Sequence, residues 1–394
     1  MRKLFLLFSA AITIASTLQA QNPVIRDQFT ADPTARVFNG KVYIYPSHDI
    51  PSPIDRLKEW FCMADYHVFS STNLTDWTDH GVILTQNKVP WVQPDSYSMW
   101  APDCVYKDGK YYFYYCGKFS NGQSAIGVAV ADNPAGPYVD KGEALLTVSM
   151  CRNAGVSMGQ AIDPSVFTDD DGTSYITFGN GSAAIAELND DMMSIKDGSL
   201  KQLNGLRDFR ESVVVIKANG KYHWTWSCDD TGSPNYHVNY GVSDTIDGNI
   251  TYVKTLLSKD EANGLLGTAH QSMLHIKDAY GKDYIPNSKL SKDEVNARYG
   301  LKKEWYSGVV AELPMISVNA DELVIVKAKS VDSKKKIKNA LKQYQKNLME
   351  NMHQYPANQL KVQASKVYVK GNYVCFFVLG SIDSKTEQKS DEKV

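Results

Sequence analysis

The sequence predicts an all-β fold, a five-bladed β-propeller, followed by a small α+β domain. A phrase of two strand-like runs around a tight turn recurs five times before residue 288, and a second strand pair follows four of the copies. After that residue the repeated phrase stops, and an amphipathic helical run appears. Five units of about four strands each are typical of a propeller.

The N-terminus has the pattern of a secretory signal peptide over residues 1–20. Arg2 and Lys3 precede an apolar run over 4–16, and Leu18-Gln19-Ala20 is an acceptable cleavage site. The run is shorter than the ~20 residues that span a bilayer, so the alternative to a signal peptide is a buried N-terminal strand. We expect a periplasmic or secreted protein with no membrane span.

The repeated phrase predicts β-hairpins at a regular spacing. The copies begin at Asp32, Ala101, Asp163, Glu211 and His270. Turns of the Asn-Gly or Asp-Gly type, such as Asn39-Gly40, stand between the two strands of a copy and are typical of hairpins. A β-sandwich would explain the hairpins but not the fixed phrase. The fifth copy lacks its second strand pair before residue 289, so either residues 301–329 complete that blade or the propeller is truncated.

Three of the five lead residues are acids, Asp32, Asp163 and Glu211, and a fourth is His270. In a propeller the first strands line the central channel, so these side chains are expected to meet at its mouth. Crowded carboxylates cannot all ionise, so one can hold a proton while another accepts one. Cleavage of a glycosidic bond needs that pair of roles, and a separation of about 6.5–9.5 Å would predict inversion. The alternative is that the Asp-Pro pairs only cap strands.

Residues 22–285 resemble glycoside hydrolase family 43, the five-bladed propellers of exported arabinofuranosidases and β-xylosidases. The phrases that carry the resemblance are Ala31-Asp32-Pro33, Met99-Trp100-Ala101-Pro102-Asp103, Ile162-Asp163-Pro164-Ser165, Arg210-Glu211-Ser212 and Gly267-Thr268-Ala269-His270-Gln271-Ser272. One departure is visible, because the family's acid motif is usually Glu-Gly-Pro and here it is Glu211-Ser212-Val213. This departure bears on the local backbone and on substrate choice.

The resemblance implies roles for five residues. Asp32 would be the general base, Glu211 the general acid, and Asp163 the group that orients Glu211 and adjusts its pKa. Trp100 would form an aromatic wall of the sugar pocket. His270 would lie near a structural Ca²⁺, reached through water because a His is not a normal ligand of that hard ion. The resemblance implies no organic cofactor.

Other candidates come from position in the chain alone. His48 and Asp49 end the first hairpin near the expected mouth, where they could bind sugar hydroxyls or serve as turn residues. Trp224 and Trp226 follow the Glu211 strand and are expected in the core rather than in a subsite. Six cysteines without a CxxC pair allow fifteen disulfide pairings and favour no zinc site.

A domain boundary is expected at residue 288, giving domains over 21–288 and 289–394. Residues 289–394 carry 19 Lys and Arg against 12 Asp and Glu, a change of charge that indicates a separate domain. The net charge of the whole chain is −2, and this value indicates no general affinity for nucleic acid. Strand-like runs over 309–313 and 323–329, a helix over 333–354 and a hairpin over 361–379 predict an α+β accessory domain. Residues 300–380 resemble a small uncharacterised exported bacterial family of unknown function.

The sequence thus predicts an exported, inverting glycosidase that acts on terminal arabinofuranosyl or xylosyl linkages of plant oligo- or polysaccharides. A non-catalytic carbohydrate-binding propeller, inactivated by its incomplete fifth blade, is the alternative. The accessory domain could also be a docking module for envelope proteins. The sugar, the linkage and the oligomeric state are not determined by the sequence.

Overall fold

The computed structural model of the chain describes residues 24–58, 60–72, 74, 76–259, 270–274, 286, 288–314, 320–350 and 356–380. The chain divides into two compact units, with the boundary between Met273 and Leu274, earlier in the chain than the expected residue 288. The expected signal peptide and most of the fifth hairpin lie outside the described residues. No helix in the described ranges has the length and apolarity needed to cross a bilayer.

The first unit contains four antiparallel sheets among the described residues, and the strands within each follow chain order. The first sheet comprises β1 (Thr30–Phe38), β2 (Lys41–Asp49), β3 (Met63–Ser71) and β4 (Thr78–Thr85). The second comprises β5 (Asp103–Lys107), β6 (Lys110–Lys118), β7 (Ser124–Ala131), β8 (Val139–Asp140) and β9 (Leu146–Thr147), which also pairs with β7. A helix of six residues, α1 (Val148–Asn153), follows β9.

The other two sheets of this unit repeat the same order. The third comprises β10 (Ser165–Thr168), β11 (Ser174–Phe178), β12 (Ala184–Glu187) and β13 (Lys201–Gln202). The fourth comprises β14 (Phe209–Ala218), β15 (Lys221–Cys228), β16 (His237–Ser243) and β17 (Thr251–Ser258). The expected hairpin pairs are therefore confirmed for four units.

The predicted turn chemistry explains why these hairpins form. In Asn39-Gly40, Asp108-Gly109 and Asn219-Gly220 both residues of the turn have positive φ, between 50° and 84°. A turn with two positive φ values matches the right-handed twist of the flanking strands, and Asn, Asp and Gly adopt it most easily.

The first strands of successive sheets contact each other, β1 with β5, β5 with β10 and β10 with β14. Asp103, with a side chain 1% exposed, joins three sheets at this inner position. Its carboxylate accepts hydrogen bonds from Thr34 Oγ1 at 2.9 Å and from Val166 N at 2.6 Å, and it forms an ion pair with Arg36. Arg36 also donates to the Val166 carbonyl at 2.8 Å. The inner strands therefore surround one axis, as propeller blades do.

The core of the first unit lies between neighbouring sheets, where aromatic side chains of the second strands are buried. Trp224 and Trp226 are both 0% exposed, and their indole nitrogens donate to Ser243 Oγ and to the Arg207 carbonyl, each at 2.8 Å. The core interpretation of these two residues is confirmed. All six cysteines are free thiols, so none of the fifteen possible disulfide pairings is formed.

The second unit is an α+β domain with a five-stranded sheet in the order β18-β19-β20-β22-β21. Its strands are β18 (Ser288–Lys289), β19 (Tyr306–Leu313), β20 (Glu322–Ala328), β21 (Lys366–Lys370) and β22 (Tyr373–Val378). Its helices are α2 (Lys292–Tyr299), α3 (Val331–Glu350) and α4 (Pro356–Ala364). Because β19 and β20 pair in this sheet, the alternative that residues 301–329 complete a fifth blade is wrong.

Three details of this unit differ from the sequence prediction. Helix α3 buries Ile337 and Leu341 as predicted, but it begins at Val331 rather than at residue 333; its described part extends to Glu350, and the predicted end at residue 354 lies outside the described residues. Pro356 begins another helix, α4, so the predicted hairpin over 361–379 is shortened to β21 and β22. Proline fits the first turn of a helix because the amide proton it lacks has no intrahelical partner there.

Candidate active site

The four expected site residues come from four separate chain segments that meet on the axis of the first unit. Asp32 lies in β1, Asp163 precedes β10, Glu211 lies in β14, and His270 follows the last sheet. The backbone has positive φ at Asp32 (51°), Asp163 (58°) and His270 (55°), and at Ser212 (56°), the residue after Glu211. Left-handed conformations cost about 1–3 kcal/mol in non-glycine residues and concentrate at functional sites.

Ser212 stands where the family's usual motif has glycine, and it keeps the left-handed conformation that glycine adopts most easily. The departure noted in the sequence therefore does not displace Glu211 from the cluster. It leaves a strained residue beside the carboxylate.

His270 lies among the three carboxylates. Its Nδ1 is 3.4 Å from Asp32 Oδ1, and its Nε2 is 3.3 Å from Glu211 Oε1 and 3.9 Å from Asp163 Oδ2. One ligand atom each from Asp163, Glu211 and His270 lies within 4.8 Å of the others. Asp32 and Glu211 approach different nitrogens of one imidazole ring, so the ring separates these two acids.

Glu211 is held by two residues that the sequence reasoning missed. Tyr236 OH donates to Glu211 Oε1 at 2.8 Å, and Asn180 Nδ2 donates to Glu211 Oε2 at 2.7 Å. Asn180 follows β11 and Tyr236 precedes β16, and neither belongs to the repeated phrase. Asn180 stands between two glycines directly after a strand, a pattern that predicts a loop at the strand end but not the buried contact with Glu211.

Burial and mutual repulsion separate the pKa values of the acids. Burial raises the pKa of Asp163 to about 8, since the neighbouring carboxylates add to the desolvation and outweigh the charge of His270. Burial by itself would raise the pKa of Glu211, but the hydrogen bonds and charge of His270, with the bond from Tyr236, hold that pKa below its ordinary value. The pair therefore keeps one proton near neutrality.

The other two groups respond to the same charges. Burial raises the pKa of Asp32 above its ordinary value, against the opposing charge of His270. Burial by itself would lower the pKa of His270, but Asp32, Asp163 and Glu211 raise it to about 10. At neutral pH His270 is an imidazolium that stabilises the ionised carboxylates around it.

The cluster opens into a cleft of about 480 Å³, within the range of sites for small molecules. Aromatic side chains of Trp60, Phe61 and Trp100 line it together with the acids and Tyr236. Trp100 also borders a neighbouring depression, and Lys118 Nζ lies 4.2 Å from its ring centroid. The structure thus places Trp100 on the cleft wall, where the resemblance puts it.

His48 and Asp49 are not among the residues that line this cleft in the described part of the chain. His48 Nδ1 lies 2.8 Å from Asp65 Oδ1, and Asp49 Oδ1 accepts from Cys62 N at 3.2 Å. Their roles in sugar binding stay predictions.

A small cavity beside the three acids and His270 is where the expected calcium ion would have to lie. A cavity of about 30 Å³ is lined there by Asp163, His270 and Gln271 among others. Asp163 Oδ2 and Gln271 Oε1 are buried and lack a hydrogen-bond partner among the described residues. Oxygen atoms suit Ca²⁺, and this volume suits about one ion or water. A calcium ion there would be held by the Gln271 side-chain oxygen, with His270 reached through water, and it would supply positive charge beside the acids.

Comparisons with known proteins agree with this geometry. The sequence profile of Glycosyl hydrolases family 43 matches residues 20–303. That of a domain of unknown function (DUF4358) matches residues 279–379. This second match is consistent with the expected C-terminal family.

Two curated relatives are similar to the first unit. Xylosidase/arabinosidase 43A of Humicola insolens is 36% identical over 261 residues, which is 53% of this chain and 75% of that protein. A xylosidase/arabinosidase of Bacteroides ovatus is 32% identical over 306 residues, 66% of this chain and 86% of that protein.

A solved structure has the same architecture. It is a GH43 beta-xylosidase/alpha-arabinofuranosidase from a compost microbial metagenome, in complex with xylotriose in a calcium-free form. It is 31% identical with a TM-score of 0.54, and the alignment covers 66% of this chain and 86% of that one.

Proposed function

This chain belongs to glycosyl hydrolases family 43, and we propose that it is an exported exo-acting enzyme that hydrolyses terminal xylosyl or arabinofuranosyl linkages of plant polysaccharides with inversion. The observation that supports the proposal is the meeting of Asp32, Asp163 and Glu211 around His270 at the base of one cleft. The names of the relatives support the choice of sugars. The non-catalytic alternative is not favoured, because all three acids are in place.

In the proposed mechanism Glu211 protonates the oxygen of the leaving group. The Asp163–Glu211 pair holds the proton, and Tyr236 and Asn180 stabilise the Glu211 carboxylate once that proton has left. Hydrogen bonds to the charged form of an acid favour it. Asp163 therefore acts by keeping a proton available to the pair.

Asp32 is the proposed general base. Its contact with the His270 imidazolium opposes the effect of burial and favours the ionised carboxylate, which is the form that can accept a proton from the attacking water. The imidazole ring between Asp32 and Glu211 leaves the two acids apart, and this separation supports attack by water rather than by a carboxylate. Inversion is the expected stereochemical result.

The test separates protonation of the leaving group from substrate binding. Glu211→Gln should lower kcat/KM by about 10²–10⁴ for aryl xylosides and arabinofuranosides with a poor leaving group such as phenol. The loss should be much smaller with dinitrophenol, which leaves without protonation. Asp32→Asn should lower both rates, because the general base assists attack of water in the same displacement step in which either group departs.

Glu187→Gln is the matched control, since Glu187 pairs with Lys196 away from the cleft. NMR of the first-formed sugar should show the inverted anomer. Equal losses for both leaving groups in Glu211→Gln would remove the general-acid role, and a retained anomer would contradict the proposed mechanism.

A further inference from the structure

His48, Asp65 and His67 form a cluster on the first sheet, apart from the residues that line the cleft. Asp65 and His67 are two residues apart on β3 and so share a face, and His48 lies on the neighbouring strand β2. His48 Nδ1 is 2.8 Å from Asp65 Oδ1, and the two imidazole centroids are 4.7 Å apart. One possible ligand atom from each of the three residues lies within 4.8 Å of the others.

We propose that these three residues bind one divalent transition-metal ion of the Zn²⁺ class. Two imidazoles and one carboxylate, with water at the remaining position, are a common donor set for zinc. Metal–ligand distances of about 2.0–2.2 Å place neighbouring ligand atoms about 3.3–3.5 Å apart, so small rotations of the three side chains close the cluster around an ion. Ca²⁺ and Mg²⁺ prefer oxygen ligands alone and do not suit two imidazoles.

The environment of His67 supports this assignment. Asp79 approaches His67 Nδ1 with its two oxygens at 3.1 and 3.2 Å, which leaves Nε2 for an ion. Asp79 is itself oriented by the Gly81 amide, which donates to its Oδ1 at 2.7 Å. Metal-binding histidines commonly have such a carboxylate on the other ring nitrogen, where it fixes the tautomer and raises the basicity of the ligand.

The cluster is accessible to an ion from solvent. The side chains of His48, Asp65 and His67 are 21%, 19% and 12% exposed, enough for water to reach their polar atoms. His67 also stacks against Phe69 with an interplanar angle of 19°, which holds the ring in place. A bound ion would connect β2 with β3 beside Asp49, so its role would be structural.

The test uses the full chain, stripped with a chelator and titrated with Zn²⁺ by calorimetry and with Co²⁺ by visible spectroscopy. We expect saturable binding and the absorption bands of Co²⁺ with nitrogen and oxygen ligands, both lost in His48→Gln and His67→Gln. Asp79→Asn should weaken Zn²⁺ binding by about 10–100-fold while keeping all three ligands. His80→Gln is the matched control, because His80 lies on β4 of the same sheet and hydrogen-bonds Ser70.

Asp163, Glu211 and His270 could also hold an ion, so the titration is repeated in Glu211→Gln. Survival of the Co²⁺ bands there assigns them to the cluster on the first sheet. If the wild type shows no saturable binding, or if His48→Gln and Asp79→Asn bind as tightly as His80→Gln, the cluster is a hydrogen-bonded network and the proposal is wrong. Should His67→Gln fail to fold by circular dichroism, Asp79→Asn decides the question, since Asp79 is 35% exposed.

Discussion

At the scale of single residues, the contacts of His270 lower the pKa of Glu211, whereas burial keeps the pKa of Asp163 raised. The sequence reasoning identified Asp32, Asp163, Glu211 and His270 because each leads a copy of one repeated phrase. It could not identify Asn180 or Tyr236, because loop residues that meet only in the folded state leave no periodic signal. It also assigned the proton to Glu211, whereas contacts from His270, Tyr236 and Asn180 favour the ionised form of that acid. The partner contacts that set a pKa are not visible in a sequence.

The activity should depend on pH in a way that follows from these shifts. The pKa of Asp163 lies at about 8, so the Asp163–Glu211 pair loses its proton as pH rises through that value. kcat/KM, which reports the free enzyme, should fall above about pH 8. On the acidic side it should fall as Asp32 takes up a proton, at a pH above the ordinary range of an aspartate because the pKa of Asp32 is raised.

Asp163→Asn removes the group whose proton is lost on the alkaline side. The alkaline fall in kcat/KM should then shift to lower pH, since the pKa of Glu211 is held below its ordinary value, and the rate at neutral pH should drop. Asp244→Asn, at an exposed aspartate paired with Lys221, should keep the wild-type profile. An unchanged alkaline limb in Asp163→Asn would show that another group titrates there.

At the scale of secondary-structure elements, turn chemistry and the repeated phrase were enough to predict the hairpins of the four described sheets of the first unit. The helix α2 was missed, although Ser291 and Glu294 form a capping box at its start, a spacing that predicts a helix N-terminus. Helix α4 was missed because a proline just after a predicted helix is typical of the end of that helix, whereas Pro356 begins the next one. The connection among inner strands through Asp103 was also missed, since a buried ion pair across sheets has no sequence pattern.

Asp103→Ala should destabilise the first unit by about 3–5 kcal/mol, because it leaves the Arg36 guanidinium without its buried partner. It also leaves the Val166 amide and the Thr34 hydroxyl without acceptors. Thermal and urea unfolding would measure the loss, with Asp244→Ala as the control at an 85% exposed ion-paired aspartate. A loss below about 1 kcal/mol, typical of surface pairs, would show that Asp103 does not hold the inner strands together.

At the scale of the whole molecule, the repeat predicted the architecture of the first unit, and the change of charge predicted a second domain. The five-blade count stays a prediction, because most of the fifth hairpin lies outside the described residues. The position of the domain boundary was less predictable, since it depends on which strands pair in space. In the second unit β20 pairs with β22, although helices α3 and α4 lie between these two strands in the chain, and no local sequence pattern predicts that pairing.

Export is a prediction for the whole chain. Expressed in a bacterium with its residues 1–20 intact, the protein should appear in the periplasm or medium with Gln21 as its first residue, as N-terminal sequencing would show. Leu7→Arg should interrupt the apolar run and leave the protein in the cytoplasm with its full N-terminus. Recovery of the wild type in the cytoplasm with Met1 retained would contradict the prediction.

The spacing of the site residues along the chain has a consequence for biosynthesis. Asp32 is made early, but Glu211 and His270 follow only after three sheets have been translated, and the acids face each other only when all four inner strands have closed around the axis. A nascent chain that ends before residue 270 therefore lacks part of the proposed centre. The proposed centre is complete only when the first unit has folded, so the appearance of turnover is expected to mark that last step.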